Sequence, residues 1–378
     1  MFCVWSLDRS WRSLPRVPSP SLPQRQSLVA QTATFLHSKI QSGEWSDWLP
    51  SERALCKLLQ VSRNTLRAAL GQLQKEGRVQ ALHGSGNQII GSFPTNPRAS
   101  SSDVALLTPE PLERLRPMQT LWIDEMRALL SERGMRLRVF HGSQYYAVKP
   151  AAALERLVTR NPHGCWVLML ATETLQRWFS RSKIPCIVAG STYAGLDLPF
   201  RDLDHRATCR HAAGVLLALG HRRLVMVMAK TRRAGDLESE AGFLEGVRQS
   251  HHDNADATVI FHEESVAGVA QAVRRILKLN PAPTALLLVH PYHFLGFASR
   301  LAREGVRVPE DMSIVTRDDD PFLKYIVPVP ARYVVNPHLM AKSLLRPVPE
   351  LLEGNAATQP VSKLMPEFLK GESIAPPA

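Results

Sequence analysis

Between residues 49 and 90 the apolar positions first recur at helical spacing and then alternate. Ala54, Leu55, Leu58 and Leu59 predict one short amphipathic helix, and Leu66, Ala69, Leu70 and Leu73 predict a second. Ser51 and Ser62 stand where a hydroxyl can accept from the unpaired N–H groups at a helix start. Val61, in the turn between them, is the expected apolar plug. Val79–Leu82 and Gln88–Ile90 read as strands paired across His83-Gly84-Ser85-Gly86, where glycine supplies the backbone freedom of a tight reversal. Upstream, Ser27–Ser42 reads as a helix with Val29, Phe35, Leu36 and Ile40 on its buried side.

From Val104 the texture changes to short continuous apolar runs separated by helical patterns. The predicted strands are Val104–Leu107, Leu137–Phe140, Trp166–Leu170, Cys186–Ala189, Leu224–Ala229, Thr258–Phe261, Ala285–Val289 and Ser313–Val315. Between them Leu121–Glu132, Ala152–Thr159, Ala207–Leu219, Glu240–Gln249, Val266–Leu279 and Phe294–Glu304 read as helices. Apolar strands alternating with helices predict an α/β body of parallel sheets covered on both faces. The stretch is long for one sheet, so two lobes are expected. Pro347 and Pro349 should break the last helical segment.

The second short helix carries the chemistry. With its apolar side in a small core, it presents Arg63, Asn64 and Arg67 at its exposed start. A DNA major groove accepts such a helix, and Arg to guanine and Asn to adenine are favoured bidentate contacts. Charge agrees: the chain carries a formal +12 at pH 7, and residues 25–95 alone carry +4. A solvated helical face would show similar arginines, so the pattern weighs only together with its neighbours.

Those neighbours resemble the GntR family of winged helix-turn-helix regulators. The likeness rests on Leu49-Pro50-Ser51-Glu52-Arg53, Val61-Ser62-Arg63-Asn64-Thr65-Leu66-Arg67, Glu76-Gly77 and His83-Gly84-x-Gly86. It implies DNA contacts from Arg53, Arg63 and Arg67. It also implies that Ser62, Asn64 and Thr65 read or bracket bases, that Ser51 belongs to the DNA-binding set, and that His83 and Gly84 form the wing tip. Asn64 falls where that family varies, so the operator sequence does not carry over.

The body resembles the LacI/GalR effector domain, a two-lobed parallel-sheet fold of the type I periplasmic-binding-protein kind. The supporting residues are Gly220-His221-Arg222-Arg223-Leu224, Gly242-Phe243, Gly305–Ser313, Asp318-Asp319 and Met365–Ser373. A reader joined to such a body resembles the arabinose-responsive repressors of the GntR family. The likeness implies a small-molecule effector, of sugar type in many relatives, between the lobes at the strand ends. The positions facing it would be Thr108, Glu110, Ser191, Asp204, Lys230, Ser239, His290, Tyr292 and Asp318. Three departures stand out. Ser239 replaces the family's sugar-gripping arginine, His290-Pro291 replaces an Asn-Asp pair, and Thr316-Arg317 replaces the residues before the aspartates. Three readings stay open: a different ligand, another polar set from Glu110, His290, Tyr292 and Arg317, or a pocket reduced to a dimer scaffold.

Other classes find less support. Cys3, Cys56, Cys165, Cys186 and Cys209 are odd in number and form no CxxC pair, which suits reduced thiols. His290-x-x-His293 lacks a third ligand at metal-site spacing, and no GxSxG elbow or Walker loop occurs. No enzyme, cofactor or metal site is therefore expected. Trp122, Trp166 and Trp178 sit in apolar stretches and read as core. No apolar run has the length of a membrane span, and Asp8, Arg9 and Arg12 interrupt what an export signal would need. The expected organisation is 1–24 a disordered leader or a misassigned start, 25–92 the reader, 93–102 a linker and 103–374 the effector and dimerisation domain. The expected protein is a cytoplasmic homodimer on a palindromic DNA operator, more a repressor than an activator.

Overall fold

The computed structural model describes residues 27–41, 45, 48–82, 86–90, 103–231, 233–250 and 252–377. The chain divides into two compact units, one up to residue 97 and one from residue 98 on. The expected leader and linker lie outside the described residues.

The first unit contains α1 (Leu28–Gln41), α2 (Glu52–Leu59), α3 (Arg63–Lys75) and an antiparallel pair, β1 (Val79–Leu82) with β2 (Gly86–Ile89). Leu36, Ile40, Leu55, Leu66, Ala69, Leu70, Leu73 and Val79 form its core, with Val61 packed against it. Ser51 accepts from the Ala54 N–H at 3.3 Å and Ser62 from the Thr65 N–H at 3.1 Å, so both predicted caps are made. Three details differ from the pattern. Leu58 is 61% exposed and Ala54 is exposed too, because α2 meets the core along a narrow stripe through Leu55, Cys56 and Leu59. At about 100° per residue, 54 and 58 fall on its outer flank. Phe35 turns outward, and Thr32 is buried on α1 in its stead. β2 starts at Gly86, earlier than the alternation suggested, and the approach to α2 pairs with it: Trp48 bridges Gln88, and the Leu49 N–H donates to the Asn87 carbonyl at 2.9 Å.

The second unit is a two-lobed α/β body. Its first lobe is built on β3 (Val104–Thr108), α4 (Pro117–Glu132), β4 (Leu137–His141), α5 (Ala151–Arg160), β5 (Cys165–Met169), α6 (Glu173–Ser182), β6 (Cys186–Ala189) and β7 (Phe200–Leu203). The second holds α7 (His205–Ala218), β8 (Arg223–Ala229), α8 (Ala234–Arg248), β9 (Asp256–His262), α9 (Val266–Leu277), β10 (Ala285–Leu288), α10 (Pro291–Arg303), β11 (Ser313–Thr316) and β12 (Ala331–Val334). The chain then returns to the first lobe with α11 (Pro337–Leu345), α12 (Val348–Leu352) and β13 (Val361–Leu364), and closes the second with β14 (Glu367–Leu369). The sheet orders are β13-β7-β6-β5-β3-β4 and β14-β12-β11-β10-β8-β9; all neighbours are parallel except β12 with β14. Each sheet has an apolar cluster on either face, so its central strands are buried throughout.

Three strands escape the apolar pattern, each for a physical reason. In β7, Arg201 is buried because its guanidinium donates to the Phe200 carbonyl at 2.8 Å and the Pro360 carbonyl at 2.9 Å. In β12, Arg332 is paired with Asp319 at 2.8 Å. β13 is an edge strand whose side chains alternate in exposure. α6 is also not expected from the apolar spacing, and the expected last helical segment is α11. Pro347 does separate α11 from α12, as its ring demands. Gly242 lets α8 press onto α7, since a Cβ there would collide with the Arg206 carbonyl.

Candidate nucleic-acid interface and effector cleft

At the start of α3 the cap geometry decides which side chains are free. Ser62 accepts from Thr65 and shares a 2.8 Å hydroxyl contact with it, so these two shape the helix end. Arg63, Asn64 and Arg67 are exposed, while Leu66, Ala69, Leu70 and Leu73 are buried behind them. Arg53 is exposed on the first turn of α2, and Ser51 caps that helix. The Nε of Arg67 lies 3.0 Å from Oε2 of Glu52, a contact the apolar pattern gave no reason to expect. His83 and Gly84 lie outside the described residues. The helix start also carries the partial positive charge of unpaired N–H groups, which favours a phosphate nearby.

A cleft of about 500 Å³ opens between the lobes of the second unit. It lies at the carboxyl ends of β5, β6, β10 and β11, where parallel sheets present their loops. Of the residues expected there, Glu110, Ser191, His290 and Asp318 line its wall. The others serve their own elements. Thr108 donates to the Glu110 carbonyl at 2.7 Å, Asp204 caps α7 through the Ala207 N–H at 3.0 Å, and Lys230 pairs with Glu263 at 2.8 Å. Tyr292 stacks on Phe322 with ring centroids 5.1 Å apart. Ser239 is buried behind the wall and accepts from Nη1 of Arg317 at 2.7 Å.

Apolar spacing could not indicate most of the remaining polar wall. Arg317 is 7% exposed and makes a bidentate pair with Asp318, 2.9 Å for each bond, with Asp236 at 3.5 Å. Arg116, ahead of α4 in the first lobe, reaches across to Asp318 at 3.3 Å. Lys363 of β13 and Glu238 of α8 make a second contact between lobes at 3.2 Å. Burial opposes the charge on Asp318, and the two arginines outweigh it, holding the carboxyl far below its ordinary range. Burial likewise opposes the charge on Asp202, which His205 at 3.2 Å and Ser191 at 2.6 Å more than offset.

His290 and His293 complete the wall. Burial, helped by Arg116, pushes both imidazoles down to about 3, so they are neutral at physiological pH. His293 also meets His262, with Nδ1 and Nε2 3.3 Å apart, and the buried Nδ1 of His290 has no hydrogen-bond partner among the described residues. No group of three metal-ligating side chains occurs among the described residues. Trp122, read from sequence as core, is 7% exposed and faces the cleft as well as the first lobe's core.

Comparison with known proteins follows the same division. Residues 28–89 match the bacterial regulatory proteins of the gntR family. Residues 213–374 match the periplasmic binding protein-like domain. The chain joins a gntR-family helix-turn-helix domain to a periplasmic-binding-protein-like domain. It is 23% identical over 286 residues to the arabinose metabolism transcriptional repressor of Geobacillus stearothermophilus, covering 72% of this chain and 76% of that protein. The repressor of the same name from Halalkalibacterium halodurans is 25% identical over 312 residues, 78% of each chain. Among solved structures, a LacI family transcriptional regulator from Enterococcus faecium with bound ribose superposes with a TM-score of 0.58 at 18% identity, covering 72% of this chain and 99% of that one. That last likeness is one of fold.

Proposed function

We propose that this protein is a DNA-binding transcriptional repressor whose operator affinity is set by a small molecule of sugar type held between the lobes. The observation that carries the reading is the α3 start: Arg63, Asn64 and Arg67 stand exposed on a helix whose opposite side is fixed in a core. Arg53, Ser51, Ser62 and Thr65 frame that face, and His83 and Gly84 would extend it into the wing. Two copies of the chain would place two such helices on a palindromic operator. The relatives named as repressors of arabinose metabolism support both the sign of regulation and the effector class. A DNA-binding role places the protein in the cytoplasm. No helix among the described residues is long and apolar enough to cross a membrane.

The effector would sit against Glu110, Ser191, His290 and Asp318, and act by preferring one arrangement of the lobes. Coupling of that kind amounts to about 1–3 kcal/mol. A second reading, a scaffold without ligand, rests on one observation: Arg317, Arg116 and Asp318 already satisfy one another across the cleft. The discriminating experiment pairs retardation of DNA from the protein's own promoter with thermal shift against mono- and disaccharides. A sugar that raises the melting temperature and releases the DNA supports the first reading. Retardation with no response to any sugar supports the scaffold.

A further inference from the structure

We infer that Glu52 is a positioning residue for base recognition, its carboxylate aiming the Arg67 guanidinium at the duplex. The inference rests on the reading of α3 as the groove helix. Glu52 is the first residue of α2 and Arg67 lies in the exposed first half of α3, so the ion pair ties the two helices together at 3.0 Å. The carboxylate takes Nε alone. Both Nη groups stay available, and they form the edge that pairs with guanine O6 and N7.

Stability does not account for the pair. The Arg67 side chain is 64% exposed and that of Glu52 31%, and exposed pairs contribute little. An acid beside a phosphate-binding helix lowers affinity for any duplex. What Glu52 returns is order, since a free arginine must give up rotamers when it docks and a tethered one has already given up part of them. The other acid described in this unit, Glu76, sits at the far end of α3 and does not face Arg67.

The test uses the full-length protein and a duplex obtained by unbiased selection, with fluorescence anisotropy on all its single-base variants over a salt series. Glu52→Ala should flatten the preference at one base pair of each half-site by about tenfold, with affinity for random duplex unchanged or raised. Glu52→Gln keeps an acceptor for Nε and should restore most of the preference. In an Arg67→Ala background, Glu52→Ala should remove no further preference. If Glu52→Ala shifts every duplex alike, Glu52 sets only charge or α2 stability, and the inference fails while the groove-helix reading stands. If the wild-type protein prefers no duplex, both fall.

Discussion

In the first unit Arg53, Arg63 and Arg67 stand exposed on two helix starts, whereas in the second Arg116 and Arg317 are drawn into the protein against Asp318. Among the described residues the first set has one acid contact, from Glu52, and its other donors stand exposed. The second set is neutralised from within, by Asp318 beside both arginines and by Asp236 of α8 beside Arg317. The same residue type thus does two jobs. On the proposed reading the exposed arginines meet a polyanion, while Arg116 crosses the cleft to Asp318 and Arg317 is tied within the second lobe. The difference teaches that positive charge in this chain is informative only with its burial.

That contrast predicts where substitutions act. The largest effect belongs to Asp318→Ala, which strips two arginines of their shared acceptor, one of them buried. Breaking such a pair costs about 3–5 kcal/mol, and thermal unfolding of the full-length protein should show the loss in the larger unit while DNA affinity of the folded protein is kept. Arg67→Ala should do the reverse. It should cost about 1–3 kcal/mol of discrimination at one base pair of each half-site, with unfolding unchanged. A loss uniform over all duplexes would make Arg67 a phosphate contact.

The third expectation concerns pH. Burial depresses His290 and His293 to about 3, so between that value and the ordinary imidazole pKa the unfolded chain binds protons that the folded one does not. Stability from these two groups is complete above about 6.5 and is lost as pH falls toward 3. The melting temperature of the larger unit should therefore drop on acidification from pH 7 to 4.5, and less steeply in His290→Phe/His293→Phe. An equal slope in the double variant would move the effect to other groups. The smallest effect is that of Arg116→Ala, about 1 kcal/mol, because its contact across the cleft is partly exposed and partly screened. Its signature is a wider spread of lobe separations by small-angle scattering.

Legibility from sequence followed the same line. The reader was legible because its determinants are local: two serine caps, a buried stripe and an exposed one within Ser51–Leu73. Leu58 misled because periodicity reports which residues could face a core and not how wide that core is. In the body, strands with continuous apolar runs were legible, and β7 was not, since Arg201 is buried through carbonyls contributed from residue 360. The cleft was the least legible part. Glu110, Ser191, His290, His293, Arg317 and Asp318 reach it, but Arg116 and Asp202 enter through tertiary pairing that spacing does not encode. Arg317 belongs to the alternative polar set that the sequence offers with Glu110, His290 and Tyr292, and it lines the cleft, bonded to Ser239 at the position where the resemblance implies an arginine.

The central claim is that the exposed start of α3 reads duplex DNA, and unbiased selection from random duplexes with the purified full-length protein at moderate salt tests it most directly. The account predicts enrichment of one inverted-repeat motif, abolished when Arg63 and Arg67 are both replaced by alanine. Enrichment of no motif, or of the same motif by that double variant, would contradict it.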